Sequence, residues 1–190
     1  MDTIPTLRQL LTQTWLEYWL LRWVVANSLA WLFGMILAVA GVWLLGAWGA
    51  LIAGAVLGAS IGTGQAWILF TDDDRIHRHR WILLSAIGGF CGAFPAAALS
   101  LVGFVSGGLA ALLVGGMFAG ILGGLQSLLL VKLMDERGYL WIPICILGGA
   151  LSAWLSLLVS SWGIPIALSP GSWLFALLTG MLILRWETDA

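Results

Sequence analysis

The sequence predicts an all-α integral membrane protein: six transmembrane helices as three repeated two-helix hairpins, with an N-terminal interfacial amphipathic helix. Three observations carry that expectation. Of 190 residues, 61% are apolar and 9% are charged, and the mean hydropathy is +1.03, where a soluble domain carries about 25% charged residues. Breaks in hydrophobicity mark off six apolar stretches, and the charges fall only where an even number of crossings puts them on one side. A Trp-led pattern recurs three times, with Trp23, Trp81 and Trp141 standing 58 and 60 residues apart.

Residues 1–22 form the predicted cytoplasmic interfacial helix. Pro5 suits a first helical turn, and Leu7, Leu10, Leu11, Trp15 and Trp19 recur at helical spacing. Residues 23–190 form one transmembrane domain, with hairpins over about 23–70, 81–131 and 140–186. The expected spans are 23–41, 49–70, 81–103, 108–131, 140–161 and 172–186. Most approach the roughly 20 residues that cross about 30 Å of hydrocarbon. Ala38-Val39-Ala40 resembles a signal-peptide processing site, but a long segment precedes this apolar run and the run belongs to the repeat. It is therefore expected to remain. Helices rather than barrel strands are expected because the alternating polar pattern of a barrel is missing.

All eight basic residues (Arg8, Arg22, Arg75, Arg78, Arg80, Lys132, Arg137, Arg185) lie in the N-terminus, the second loop, the fourth loop or the C-terminal end, and the nine acidic residues share those places. The loops near Gly41–Gly49, Val105–Gly108 and Gly163–Ser172 are uncharged. The positive-inside rule makes the charged side cytoplasmic, with both termini there, in the inner or another internal membrane of a bacterium. Tryptophans are expected at both boundaries: Trp15, Trp19, Trp23, Trp81, Trp141 and Trp186 on the charged side, Trp43, Trp48, Trp162 and Trp173 on the other. The net charge of −1 offers no basic patch for nucleic acid. The partners expected are the lipid bilayer and other membrane subunits. Cys91 and Cys145 differ in depth by about 9 Å at 1.5 Å per residue, which argues against a bridge.

Within the repeat, four positions after each leading Trp stand Asn27, Ser85 and Cys145, seven after stand Ala30, Gly88 and Gly148, and eleven after stand Gly34, Gly92 and Ser152. The even spans carry Gly54-x-x-x-Gly58-x-x-x-Gly62, then Gly116-x-x-x-Gly120-x-x-x-Gly124, then Ser172-x-x-x-Ala176-x-x-x-Gly180. Small residues at this spacing let membrane helices approach closely, so these glycines are the expected packing positions.

The polar intramembrane candidates are Asn27, Gln65, Ser85 and Gln126. An amide here either bonds across helices or faces a polar path or ligand. The first reading is favoured, and Thr179 and Gly180 stand where a third Gln would lie. Most serines and threonines in the spans are expected to bond a carbonyl one turn back. Asp72, Asp73, Asp74, His77 and His79 are the weak metal-ligand candidates, but Arg75, Arg78 and Arg80 interleave them and repel a cation, so a solvated loop is expected. No ionisable residue lies in the middle of a span, and no zinc pair, Ser/His pair or phosphate loop appears. The chain is therefore not expected to be an enzyme. Gln and His can ligate tetrapyrrole metals, yet nothing specifies a cofactor.

Gly-Gln-Ala-Trp-Ile-Leu at 64–69 and Leu-Gln-Ser-Leu-Leu-Leu at 125–130, behind Trp-led helices, resemble uncharacterised Trp/Gly/Gln-repeat multi-pass membrane proteins of bacteria. In helix number and size the chain is also similar to the substrate-capture subunits of energy-coupling-factor vitamin importers. The leading expectation is a non-catalytic membrane subunit or accessory protein that packs through small-residue faces. The alternative is a channel or carrier for a neutral or weakly polar solute, its route bordered by Asn27, Gln65, Ser85 and Gln126.

Overall fold

The computed structural model describes the backbone of residues 7–70, 74–102, 107–163 and 171–188, and side chains from Tyr18 to Trp186 except at 47, 50 and 96–102 within those ranges. Among the described residues are six α-helices: α1 (Leu7–Leu45), α2 (Ala47–Leu69), α3 (Arg75–Val102), α4 (Gly107–Met134), α5 (Trp141–Ser160) and α6 (Gly171–Thr188). A 3-10 segment, Asp135–Leu140, joins α4 to α5. No strand occurs among the described residues. Stretches long and apolar enough to cross a membrane are Tyr18–Leu45, Leu51–Leu69 and the run Gly107–Ser160, and Gly171–Trp186 is a shorter apolar helix. The long run contains both α4 and α5.

Several helices outrun the apolar stretches. Hydropathy marks where charge begins, whereas a helix can continue through charged residues. The 39 residues of α1 pass unbroken through residue 22, where the interfacial helix was expected to give way to the first span. No Gly or Pro stands between Leu7 and Ala30 to end it. The side chains of residues 7–17 lie outside the described residues, so the amphipathic face expected there is not described. α1 ends at Gly46, whose φ of +58° turns the chain directly into α2. That left-handed conformation suits glycine because no Cβ meets the carbonyl oxygen.

Each helix packs on its neighbours in sequence, and α6 returns to pack on α1. The bundle is thus a ring in chain order. Its seams are of two kinds. The first lies between hairpins, α2 on α3 and α4 on α5. There Gly54 sits so close to Gly89 that an added Cβ would lie 2.5 Å from the Gly89 carbonyl oxygen. Gly58 meets the Ser85 carbonyl, Gly149 meets Gly115 (2.5 Å to its oxygen) and Gly123 meets Cys145 (2.6 Å to its Cβ). The second kind lies within hairpins, where Gly88 meets Leu122, Gly92 meets Phe118 and Gly148 meets Phe175. Odd helices α3 and α5 therefore present glycine on two adjacent faces, one toward each neighbour.

The expected register of α4 is off by one. Its close contacts to α5 come from Gly115, Ala119 and Gly123, matching Gly54, Gly58 and Gly62 of α2, and, in the expected row, from Gly120 alone, where an added Cβ would lie 2.7 Å from the Ile146 side chain. Gly116 makes only ordinary contact, Gly120 meets Ile146, and a Cβ on Gly124 would meet nothing within 4 Å. Four residues exceed one turn of 3.6, so a Gly-x-x-x-Gly row drifts around the helix by about 40° per step. Both rows drift alike, so what separates them is their starting position: the row from 115 meets α5 backbone and Cβ atoms, and the row from 116 meets α5 mainly through the Ile146 side chain.

The tryptophans expected at the boundaries divide by side, whereas Trp67, near the charged end of α2, is exposed. Trp43, Trp48, Trp162 and Trp173 are exposed, as an aromatic belt on the uncharged side would be. On the charged side the expectation of boundary anchors is corrected: Trp23, Trp81 and Trp141 are wholly buried, and Trp19 and Trp186 nearly so. They form the core. Trp15 lies outside the described side chains.

Candidate functional site

The leading tryptophan of each odd helix begins the site. Trp23 on α1, Trp81 on α3 and Trp141 on α5 all project inward, and Trp141 touches both others edge-on, at 6.5 Å from Trp23 and 6.0 Å from Trp81 between ring centroids. Trp19 stacks on Trp23 at 5.4 Å and 11°, and Trp186 lies 6.4 Å from Trp141. A buried indole gains by placing its N–H on an acceptor, which Trp186 does not do.

Each of the three does so on the preceding even helix. Trp81 Nε1 donates to Gln65 Oε1 at 3.2 Å, Trp141 Nε1 to Gln126 Oε1 at 2.8 Å, and Trp23 Nε1 to Thr179 Oγ1 at 3.2 Å. The third bond closes the ring between α6 and α1. Thr179 is thus the counterpart of the two glutamines, at a position where the sequence has no Gln, and it adds to the site residues that the sequence points to. The signal was available: 65 and 126 lie three residues after Gly62 and Gly123, and 179 lies three after Ala176.

Gln126 is the hub. Trp141 offers only a donor, so the Gln126 amide must turn its oxygen there and its nitrogen inward. That nitrogen donates to Gln65 Oε1 and to Ser85 Oγ, both at 2.8 Å. Ser85 in turn donates to the Trp81 carbonyl at 2.7 Å. Gln65, Ser85 and Gln126 therefore meet in one network, all wholly buried. Gln65 spends its oxygen twice and leaves its Nε2 without a partner.

Asn27 is not part of that network. Its Nδ2 donates to the Trp23 carbonyl at 2.9 Å, and its Oδ1 accepts nothing although the side chain is 3% exposed. The serines and threonines mostly bond back as expected: Thr63 to Ala59, Ser127 to Gly124 and Thr179 to Phe175. Ser152 differs by donating across helices to the Gly171 carbonyl.

The polar loop is outside the hydrogen-bond network and reaches the core through Phe70, which packs on both His77 and Trp81. His77 Nδ1 donates to the Asp74 carboxylate at 2.5 Å, and its ring lies 6.4 Å from Phe70. His79 donates to the Arg75 carbonyl, and Arg78 to the Phe70 carbonyl. The two imidazoles thus face different partners, and no group of three metal-ligating side chains occurs among the described residues. Asp72 and Asp73 lie outside the described residues.

What the central arrangement does chemically is hydrogen-bond neutral groups to one another inside an aromatic plug. Uncharged donors and acceptors are tolerated there because most of them find partners, several on another helix, while Gln65 Nε2 and Trp186 Nε1 remain unpartnered. Comparison of the chain with family models, with curated proteins and with solved structures finds no match to any of them.

Proposed function

We propose that this protein is a non-catalytic integral membrane subunit or assembly protein, with all six helices crossing a bacterial inner membrane and both termini on the cytoplasmic side. One observation carries the reading: Gln65, Ser85, Gln126 and Thr179 bond to other helices around three buried tryptophans, so the polar groups of the axis hold the bundle together. The uncharged exterior, with Leu29, Phe33, Trp67 and Leu83 exposed, suits lipid and the helices of partner subunits. A groove of about 360 Å³ beside α4, floored by Gly116 and Gly120, is where a partner helix would approach most closely.

Purification in mild detergent from the native membrane, followed by mass analysis of the intact assembly, tests the proposal. A stoichiometric protein partner is expected. Recovery as a lone monomer after in-membrane crosslinking counts against it.

A carrier for a small neutral solute is the second reading, favoured by a small cavity beside Asn27 on the uncharged side of the tryptophan plug. Solute flux separates the two. Gln65→Leu and Gln126→Leu that lower stability and leave flux unchanged assign both residues to packing.

A further inference from the structure

The three seams between hairpins are built alike but do not close alike. Eight positions after the leading tryptophan, α3 has Gly89 and α5 has Gly149, each pressed against a glycine of the preceding even helix. The same position on α1 holds Trp31. An indole cannot enter the space a glycine leaves, and α6 meets α1 less extensively than α2 meets α3 or α4 meets α5. Four positions after the tryptophan the substitution repeats: Ser85 and Cys145 on the closed seams, Asn27 on the open one.

The consequence is a cavity of about 80 Å³ inside the ring, lined by Asn27 and Trp31 together with Ile61, Phe118, Ser152 and Phe175 among others. It is mainly apolar and lined by no charged side chain. Two of its polar groups are unpartnered: Asn27 Oδ1, an acceptor on a side chain 3% exposed, and Trp31 Nε1, a donor. Being four residues apart on one helix, they are neighbours on one face, with Cβ atoms about 5–6 Å apart. Leaving both unmade inside a bundle is costly, at roughly 1–3 kcal/mol for each group.

We infer that this cavity binds a small neutral molecule with a hydroxyl group, which donates to Asn27 Oδ1 and accepts from Trp31 Nε1, its short apolar part lying against Ile61, Phe118 and Phe175. The volume admits about three water-sized groups, so the ligand is on the scale of a three-carbon alcohol. An ammonium or carboxylate is excluded by the lack of a counter-charge in an apolar wall. The site stands whether the protein is a packing subunit or a carrier, since it requires occupancy and no passage.

The test uses the full chain with ¹⁵N-labelled indoles in lipid nanodiscs, titrated with 1-propanol. The Trp31 resonance, identified by its loss in Trp31→Phe, is expected to shift saturably, while those of exposed Trp43 and Trp162 drift linearly with partitioning. Asn27→Leu is expected to weaken the saturable binding by about tenfold. Asn27→Cys, which installs the residue type that α5 carries at the equivalent Cys145, provides the same comparison should the leucine variant fail to fold. A linear drift at Trp31, saturation with unchanged affinity in the Asn27 variants, or a Trp31 signal in contact with water and indifferent to alcohol would each overturn the inference, the last by showing a hydration site only.

Discussion

Gln126 and Gln65 look interchangeable in the sequence, yet they carry different shares of the network. Gln126 makes three hydrogen bonds, and its loss strands the Trp141 N–H and removes a donor from both Gln65 and Ser85. Gln126→Leu is therefore expected to destabilise by about 1–3 kcal/mol. Gln65→Leu strands Trp81 and one Gln126 proton but also removes an amide nitrogen that had no partner, so its cost is expected to be smaller. Equilibrium unfolding of both variants in lipid–detergent mixtures checks the order, and equal losses would refute it. Thr179→Val keeps the shape of the side chain and deletes the Trp23 acceptor. It is expected to cost about 1 kcal/mol, read by the same unfolding measurement. At this scale the sequence already contained the two glutamines and Ser85, because amides and hydroxyls inside apolar stretches stand out. It did not expose the tryptophans as their partners, since an indole near a predicted boundary is equally suited to lipid headgroups and to a buried acceptor, and only the inward direction of the helix face decides.

Among the elements, the seams give a sharper contrast. Gly115→Ala and Gly149→Ala push a Cβ into backbone across the α4–α5 seam, and each is expected to cost about 1–3 kcal/mol. Gly124→Ala meets open space and gains helix propensity, so it is expected to be neutral or to stabilise by up to about 1 kcal/mol. A thermal-stability series of the three variants checks this, and a destabilised Gly124→Ala would restore the register the sequence alone suggests. That register failed for a geometric reason. Glycines are so dense in α4 that 115-119-123 and 116-120-124 are both small-residue rows, and hydropathy does not distinguish them. The three-residue offset to the glutamine does, because the hydrogen bond to an indole on the neighbouring helix fixes which row faces that helix. Gly138→Ala is a further expectation at this scale: its Cβ would meet the backbone of Val131 at 2.5 Å, so the turn between α4 and α5 is expected to open, with faster proteolysis there.

For the whole molecule, charge placement and the ring agree. Charged turns beside Arg75 to Arg80 and Lys132 to Arg137 lie at the same end of the bundle as the tryptophan core, and Gly46, Gly107 and Gly163, all at positive φ, mark the other. Single cysteines placed at Arg80, Lys132 and Arg185 are expected to react with an impermeant reagent from one side, and cysteines at Gly46 and Gly163 from the other. Any exchange between the two sets would dismantle the six-crossing proposal. The all-helical class was legible from hydropathy and from the missing strand alternation. The three-fold repeat implied a bundle about one axis, but the Trp23–Thr179 bond that closes α6 on α1 was not legible, because no local pattern in either helix names a partner so distant in the chain.

That closure has a consequence for biosynthesis. The indole emerging on the first helix finds its acceptor only on the last, whereas the other two pairs can engage as soon as α3 and α5 are made. A nascent chain halted before Gly171 therefore keeps an open slot along α1, lined by an unanswered N–H.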